Sequence, residues 1–374
     1  MKIETIVPQI PNTQEIFKKI NKCFKKKYLT NDGQNLIEFE IKLQKYFKSK
    51  LKPVVFCNGE LSLFNLIQAW KFNLGINKCT AIVPSFTFSG TVNALEQNNI
   101  KPLFCDINNT LTPDLKKIKI EKNTKFIVAS SVYGNIPNIK EIKNFAKKNN
   151  LIFILDNAPG FFSRISNDFP CNMNVDEIYS FHATKTFNSI EGGCAITSNK
   201  KIYKSLVALR NFGQLNKGSN NIILPGLNSK MHELSAIVGV ENLKKTSSLM
   251  IKRKKVISKY LVFFRKLEVK RLINLMKVNK NTYCSYYFFP IILKRHSVKK
   301  FITFMNKKKI FCRRYYKSVH TLDYYKKRIT RKDLSLIPFT EKIKNKVIAI
   351  PLHSEMQEKE MNYLFDCVSK FFDI

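Results

Sequence analysis

Between residues 54 and 200 the chain repeats one pattern: a short apolar run, then a stretch with apolar side chains at helical spacing. "PVVFC" leads into "NGELSLFNLIQAWKF", "TAIV" into "SGTVNALEQNN", and "KFIVASSV" into "NIKEIKNFAKKNN", while "KPLFC" ends at Asp106 and "LIFIL" at Asp156. Runs that are apolar at every position are strands buried on both faces, and the intervening helices supply the cover. The pattern therefore predicts an α/β domain around a mainly parallel sheet. Sheets of this kind bind ligands outside the carboxyl ends of their strands. Asn58 and Gly59 follow the first run, Phe88 the second and Asp156 the fifth, and Ser180 falls within "DEIYSF".

Beyond "GLNSKMHELSAIVGVENLKK" the pattern changes. It predicts a long basic helix near 233–268, a strand in "SYYFFPIIL", and helices near 296–308 and 357–372, a smaller α+β domain packed on the first. The expected division is an N-terminal segment with the large domain over residues 1–245 and the small C-terminal domain over 246–374. Residues 317–346 carry no readable period. No apolar run approaches membrane-spanning length, and "MKIETIVPQIPN" lacks the apolar core of a secretory signal, so a cytoplasmic chain without a membrane partner is expected.

Lysine and arginine number 65 against 27 acidic residues, a formal charge of +38 that invites a nucleic-acid reading. The excess runs from end to end, however, and no helix-turn-helix, zinc-finger or RRM pattern accompanies it. A charged surface that draws anionic substrates is the expectation, with no specific nucleic-acid partner. The nine cysteines are odd in number, scattered and free of C-x-x-C spacing, and the five histidines have no ligand spacing. Reduced core thiols are expected, and no metal.

"SFHATKTFNSIEGG", residues 180–193, places Lys185 among uncharged neighbours, whereas the ordinary lysines come in runs such as "FKKK" and "IKRKK" that read as solvated surface. Such flanks favour a pocket lysine whose ammonium is partly desolvated. A lysine of this kind, a carboxylate at a strand end, an aromatic after another strand and a helix N-terminus after Asn-Gly are the four parts pyridoxal phosphate needs. The amine takes the aldehyde, the carboxylate keeps the pyridine nitrogen protonated, the aromatic packs on the ring, and backbone donors hold the phosphate. Singly, Asp156 reads equally as a helix cap, Phe88 as core and Asn228 as a turn former; the set is far more specific than any member.

A series of segments, in order, resembles the DegT family of pyridoxal-phosphate sugar aminotransferases. "CNGELSLFNLI" is similar to its phosphate turn, "VPSFTFSGTVNAL" to its P-x-x-T-F-x-A-T segment, "ILDNAPGF" to its D-x-A-H/Q-G segment and "SFHATKTFNSIEGG" to its lysine signature. "GLNSKMHELSA", "CRRYYKSVH" and "VIAIPLHSEM" extend the likeness over nearly the whole chain. The resemblance implies the aspartate-aminotransferase fold (PLP-dependent transferase fold type I), with a large mainly parallel-sheet domain and a smaller C-terminal α+β domain. It implies Lys185 as the catalytic lysine and covalent anchor, Asp156 at the pyridine nitrogen, and Phe88 on the ring. Gly59, the main chain of Glu60, and Ser180 would hold the phosphate, and Asn228 would reach the phosphate of a neighbouring subunit in a homodimer with shared sites. Arg313, Arg314 and Tyr315 would face the substrate.

Glu60 departs from the family's Thr and Pro159 from its His or Gln. His182 reads as a packing residue, and Glu191 as part of a tight turn behind the lysine. The implied activity is transamination of a keto nucleotide sugar with glutamate as donor. The likeness is greatest to branches that aminate the C4 ketone of dTDP-4-keto-6-deoxyglucose, with a perosamine-type or 3-amino-sugar enzyme as the alternative.

Overall fold

The computed structural model describes residues 1–116, 118, 120–215 and 220–374. Two helices, α1 (Thr13–Lys25) and α2 (Gln34–Phe47), precede the first strand. The alternation read from the sequence then appears as β1 (Val54–Phe56), α3 (Gly59–Leu74), β2 (Cys79–Pro84), α4 (Ser89–Glu96), β3 (Ile100–Cys105), β4 (Thr124–Ser130), α5 (Ile139–Lys148) and β5 (Ile152–Asp156). A short β6 (Arg164–Ile165), then β7 (Asp176–Ser180), β8 (Gly193–Ile196) and α6 (Lys200–Arg210) complete this part. Seven strands form one sheet in the order β1-β8-β7-β5-β4-β2-β3. Pairs β2–β3, β2–β4, β4–β5 and β5–β7 are parallel, and β8 runs antiparallel to both neighbours.

Alternate side chains of these strands enter opposite cores, as the two-residue period requires. Val54, Phe56, Val83, Val128 and Ile178 pack under α3 and α6. Val55 and Tyr179 pack with Phe39, Leu43 and Phe47 of α2, while Ile127 and Leu155 pack with Ile139 and Ile142 of α5. Covered on both faces, the sheet leaves its ligand-accessible crevice at the strand ends.

The predicted helix near 233–268 is two helices, α7 (Glu233–Leu243) and α8 (Thr246–Val269). The chain turns at Lys244 and Lys245, and the Thr246 hydroxyl donates to the Leu243 carbonyl (2.9 Å). A second sheet, β12-β11-β9, joins β9 (Ile273–Leu275), β11 (Phe289–Leu293) and β12 (Val347–Ile350), with α9 (Val298–Lys307) and α13 (Glu358–Phe371) beside it. The two-residue β10 (Thr282–Tyr283) pairs with β6, tying this part to the first. Only the second half of "SYYFFPIIL" is strand; the carbonyls of Ser285, Tyr286 and Tyr287 go instead to the guanidinium of Arg253. Residues 317–346 fold as a 3-10 turn (Val319–Thr321) and three short α-helices, α10 (Asp323–Lys326), α11 (Arg331–Ser335) and α12 (Pro338–Ile343), the last capped by the Asp106 carboxylate through the amides of Phe339 and Thr340 (both 2.7 Å). Ile3 packs in the C-terminal core and bridges to Ile310, so the first residues belong physically with the second sheet. All nine cysteines are free. Among the described residues no helix is long and apolar enough to cross a membrane.

Candidate active site

At the carboxyl ends of β1, β2, β5 and β7 lies a cavity of about 370 Å³, and Gly59, Glu60, Phe88, Asp156, Ser180, Lys185 and Tyr315 all line it. Four separate loops of the sheet thus deliver six of the expected residues to one place, and the segment after α9 adds Tyr315.

Asn58 starts α3, its Oδ1 accepting from the Leu61 amide (2.8 Å). The amides of Gly59 and Glu60 remain at the open N-terminus without a partner among the described residues, where the helix dipole favours an anion. Gly59 is required by packing: a methyl group there would stand 2.7 Å from Ser180 Cβ. The next strand over is equally close, since a Cβ on Gly193 would lie 2.5 Å from Gly59 Cα. Three backbones therefore meet around the Ser180 hydroxyl, forming a cradle that any side chain on Gly59 would fill.

Asp156 ends β5 and is 6 % exposed. Its Oδ2 accepts from Thr91 Oγ1 and its Oδ1 from the Ala158 amide (3.1 Å), and it caps no helix. Burial pushes its pKa above the usual carboxylate range, with Thr91, Ala158 and the Lys185 charge pulling it back. A buried carboxylate held at a strand end in this way is suited to a cationic N–H. Thr91 belongs to a buried hydroxyl chain, touching Thr87 (3.2 Å), which touches Ser130 (2.7 Å). The sequence contained this positioning residue inside "SGTVNAL", but no feature of the sequence singled it out.

Phe88 precedes α4 and is 50 % exposed, in contrast to core phenylalanines such as Phe86, which are fully buried. Its ring stands 6.4 Å from that of Tyr315. An aromatic face left bare inside a cavity can stack on a planar ligand. The Lys185 ammonium lies 4.7 Å from the ring centroid of Tyr287, a cation–π contact.

The side chain of Glu60 leans toward α4: a Cβ on Gly90 would fall 3.3 Å from its Oε2, and Asn93 hydrogen-bonds to it. Its pKa is raised, first by desolvation and then by repulsion from Asp156. His182 does not pack in the core. Its side chain is 45 % exposed on the cavity wall, with Nε2 3.4 Å from Glu191 Oε1 and Nδ1 2.7 Å from Thr184 Oγ1. Glu191, read as a turn residue, lines the same cavity. Three expected residues lie outside the lining. Asn228 is exposed and bridges to Asn211. Arg313 pairs through its backbone with Ala349 and is exposed, and Arg314 donates to the Lys344 carbonyl (2.9 Å) beside a different depression.

Chemically, the set can hold a phosphorylated pyridine aldehyde: a phosphate at the α3 cradle, a ring nitrogen at Asp156, a ring face at Phe88 and an aldehyde at Lys185. Pro159 offers no side-chain donor beside it.

The family model described as the DegT/DnrJ/EryC1/StrS aminotransferase family matches residues 11–369. The chain is 26 % identical over 368 residues, 96 % of each protein, to the dTDP-4-amino-4,6-dideoxy-D-glucose transaminase of Shigella dysenteriae. It is 24 % identical over 364 residues to the GDP-perosamine synthase of Vibrio cholerae, covering 95 % of this chain and 96 % of that one. Among solved structures it resembles Helicobacter pylori PseC, an aminotransferase involved in the biosynthesis of pseudoaminic acid, with a TM-score of 0.88 at 21 % identity and full coverage of both chains.

Proposed function

Because the chain belongs to the DegT/DnrJ/EryC1/StrS aminotransferase family, we propose that its cavity works as a pyridoxal-phosphate site for amination of a keto nucleotide sugar. The protein is a PLP-dependent sugar aminotransferase. The observation that carries the site assignment is the convergence of a bare aromatic, a buried carboxylate, a glycine-lined helix N-terminus and Lys185 on one cavity. The cofactor supplies an electron sink and a carrier for the amino group.

The chain's own residues do the rest. The Gly59 and Glu60 amides and the Ser180 hydroxyl bind the phosphate, and Asp156, oriented by Thr91 and Ala158, holds a proton on the ring nitrogen. Phe88 fixes the ring plane. The Lys185 amine would anchor the aldehyde and, once free, would serve as the proton carrier. His182 and Glu191 stand at the same wall, where a sugar hydroxyl could be bound.

The substrate we propose is dTDP-4-keto-6-deoxyglucose, converted to dTDP-4-amino-4,6-dideoxyglucose with glutamate as donor. The likeness to the Shigella dysenteriae enzyme supports this; the likeness to the Vibrio cholerae enzyme supports a GDP-linked ketose as the second reading. We further propose a homodimer with shared sites. Asn228 lies on an exposed stretch with Ile222, Ile223 and Leu227, an apolar surface fit to meet a second copy. We also propose a cytoplasmic location and a domain division at 245/246. The test is incubation with glutamate and each ketose, followed by NMR of the product. Amination at C4 of the dTDP sugar with the gluco configuration is expected. Amination at C3, the galacto epimer, or turnover only with the GDP sugar overturns the substrate assignment.

A further inference from the structure

Glu60 follows Gly59 in the phosphate turn, where its charge works against the site: a carboxylate beside a cradle built for a near-dianionic group repels what the cradle binds. No cation pairs with it among the described residues, and Asp156 on the same cavity wall repels it. What holds it is neutral. Asn93 of α4 hydrogen-bonds to the carboxylate, and Tyr325 Oη donates to Asn93 Oδ1 (2.8 Å). The direction of this chain is set by its two ends. An ionised carboxylate only accepts, so Asn93 turns its NH2 to Glu60, which leaves the amide oxygen for the phenol. Tyr325 stays a donor, because burial pushes its pKa up to about 12.

Two further features seat the carboxylate at the start of α4. Gly90 leaves room for it: a Cβ there would fall 3.3 Å from Glu60 Oε2 and 3.1 Å from the Phe88 ring. Helix α4 also has no side-chain cap of its own, so its positive end favours an anion. Tyr325 comes from α10, in the part of the chain between β11 and β12, yet it is buried in the core that holds Leu63 and Leu66 of α3 and Val92 of α4. Its ring meets that of Phe104 edge-on, with centroids 6.3 Å apart. The phenol is thus held by packing, and it in turn fixes the Asn93 amide.

We propose that Asn93 and Tyr325 are positioning residues of the cofactor site: they draw the Glu60 carboxylate onto the start of α4 and keep it off the phosphate cradle, so that α10 sets how tightly the phosphate is held. The proposal rests on the pyridoxal-phosphate reading of the cavity.

The test is a double-mutant cycle on the full chain stripped of cofactor. Asn93→Leu and Tyr325→Phe are each made in the wild type and in Glu60→Gln. Pyridoxal phosphate and pyridoxal are titrated by visible absorbance, and inorganic phosphate by the rise in melting temperature. In the wild-type background Asn93→Leu should weaken both phosphate ligands about ten-fold, the effect of one charge swinging about 2 Å toward another near a protein surface. Tyr325→Phe leaves the amide present but unfixed, and should weaken them about three-fold, the loss of one neutral hydrogen bond. In Glu60→Gln both effects should vanish, and pyridoxal, which has no phosphate, should bind alike in every protein. Equal losses in the two backgrounds, or equal losses for pyridoxal and its phosphate, mean that the two residues only pack, and overturn the proposal. So does unchanged phosphate affinity in both variants. Should Asn93→Leu fail to fold, Tyr325→Phe decides by the same comparison. Absence of the visible band of lysine-bound cofactor from the wild type refutes the proposed function, while the inorganic phosphate series still decides whether Glu60 is held off the cradle.

Discussion

Asp156→Asn removes a charge at nearly constant shape, and its effects on stability and on cofactor binding should have opposite signs. Burial raises the Asp156 pKa, and Thr91, Ala158 and Lys185 offset that only in part. In the cofactor-free chain the folded pKa therefore exceeds the unfolded value of about 3.9. The stability tied to this group is complete below the unfolded pKa and is lost as pH rises through the folded one. Asparagine carries no charge and still accepts from the Ala158 amide. Stripped of cofactor, Asp156→Asn should thus melt above the wild type near pH 8, and the advantage should fade toward about pH 4. With cofactor the sign reverses. A charge-assisted hydrogen bond to a protonated ring nitrogen contributes about 1.5–3 kcal/mol, so the variant's cofactor dissociation constant should rise about 10- to 100-fold. Thermal melts of stripped protein across this pH range, with cofactor titrations followed by absorbance, measure both. A variant that binds cofactor as tightly as wild type, or that is destabilised without cofactor near pH 8, refutes the reasoning.

Gly59→Ala drives a methyl group to 2.7 Å from Ser180 Cβ, and should cost about 1–3 kcal/mol of stability by overpacking. Denaturant melts of the stripped protein check this, and unchanged stability would mean the β1–α3 turn can yield. Glu60→Thr removes a negative charge beside the phosphate cradle and beside Asp156, and should tighten cofactor binding. The gain should be larger at alkaline than at mildly acidic pH, because Glu60 loses its charge at the acidic end; equal or weaker affinity in titrations contradicts it. Mixing Lys185→Ala with Asn228→Ala chains should restore one intact site per heterodimer. Activity no higher than the sum of the parents, with subunit exchange verified by mass, argues against shared sites.

The strands and the cavity were legible because both follow from short-range rules. Fully apolar runs must be covered on two faces, and residues just past the strand ends must meet at the crevice, so Asp156, Phe88 and Gly59 could be placed before any coordinates. The failures share a cause as well: burial of polar groups is a tertiary property. Arg253 sits in "IKRKK", a run read as solvated, yet one of its residues turns inward to serve the Ser285–Tyr287 carbonyls. The same event shortened the predicted strand in "SYYFFPIIL", because carbonyls bound by a guanidinium have left the ladder. The break between α7 and α8 has no glycine or proline to announce it. His182 was read as a packing residue because its fit to that role was local; its place on the cavity wall, with Glu191 of the bend before β8, depends on how β7 and β8 frame the loop between them. Arg313, Arg314 and Tyr315 were assigned together through the likeness of "CRRYYKSVH" to the family, but of the three only Tyr315 lines the cavity.

With 55 lysines, this chain offers an aldehyde many amines, so the most direct test of the central claim asks which one it chooses. Wild type and Lys185→Ala should be loaded with pyridoxal phosphate, reduced with borohydride, digested and mapped by mass. One stoichiometric adduct on the peptide containing Lys185, absent from the variant and accompanied by loss of the visible band, is the predicted result. Adducts spread over surface lysines to the same extent in both proteins would contradict the assignment of Lys185 and, with it, the site built around it.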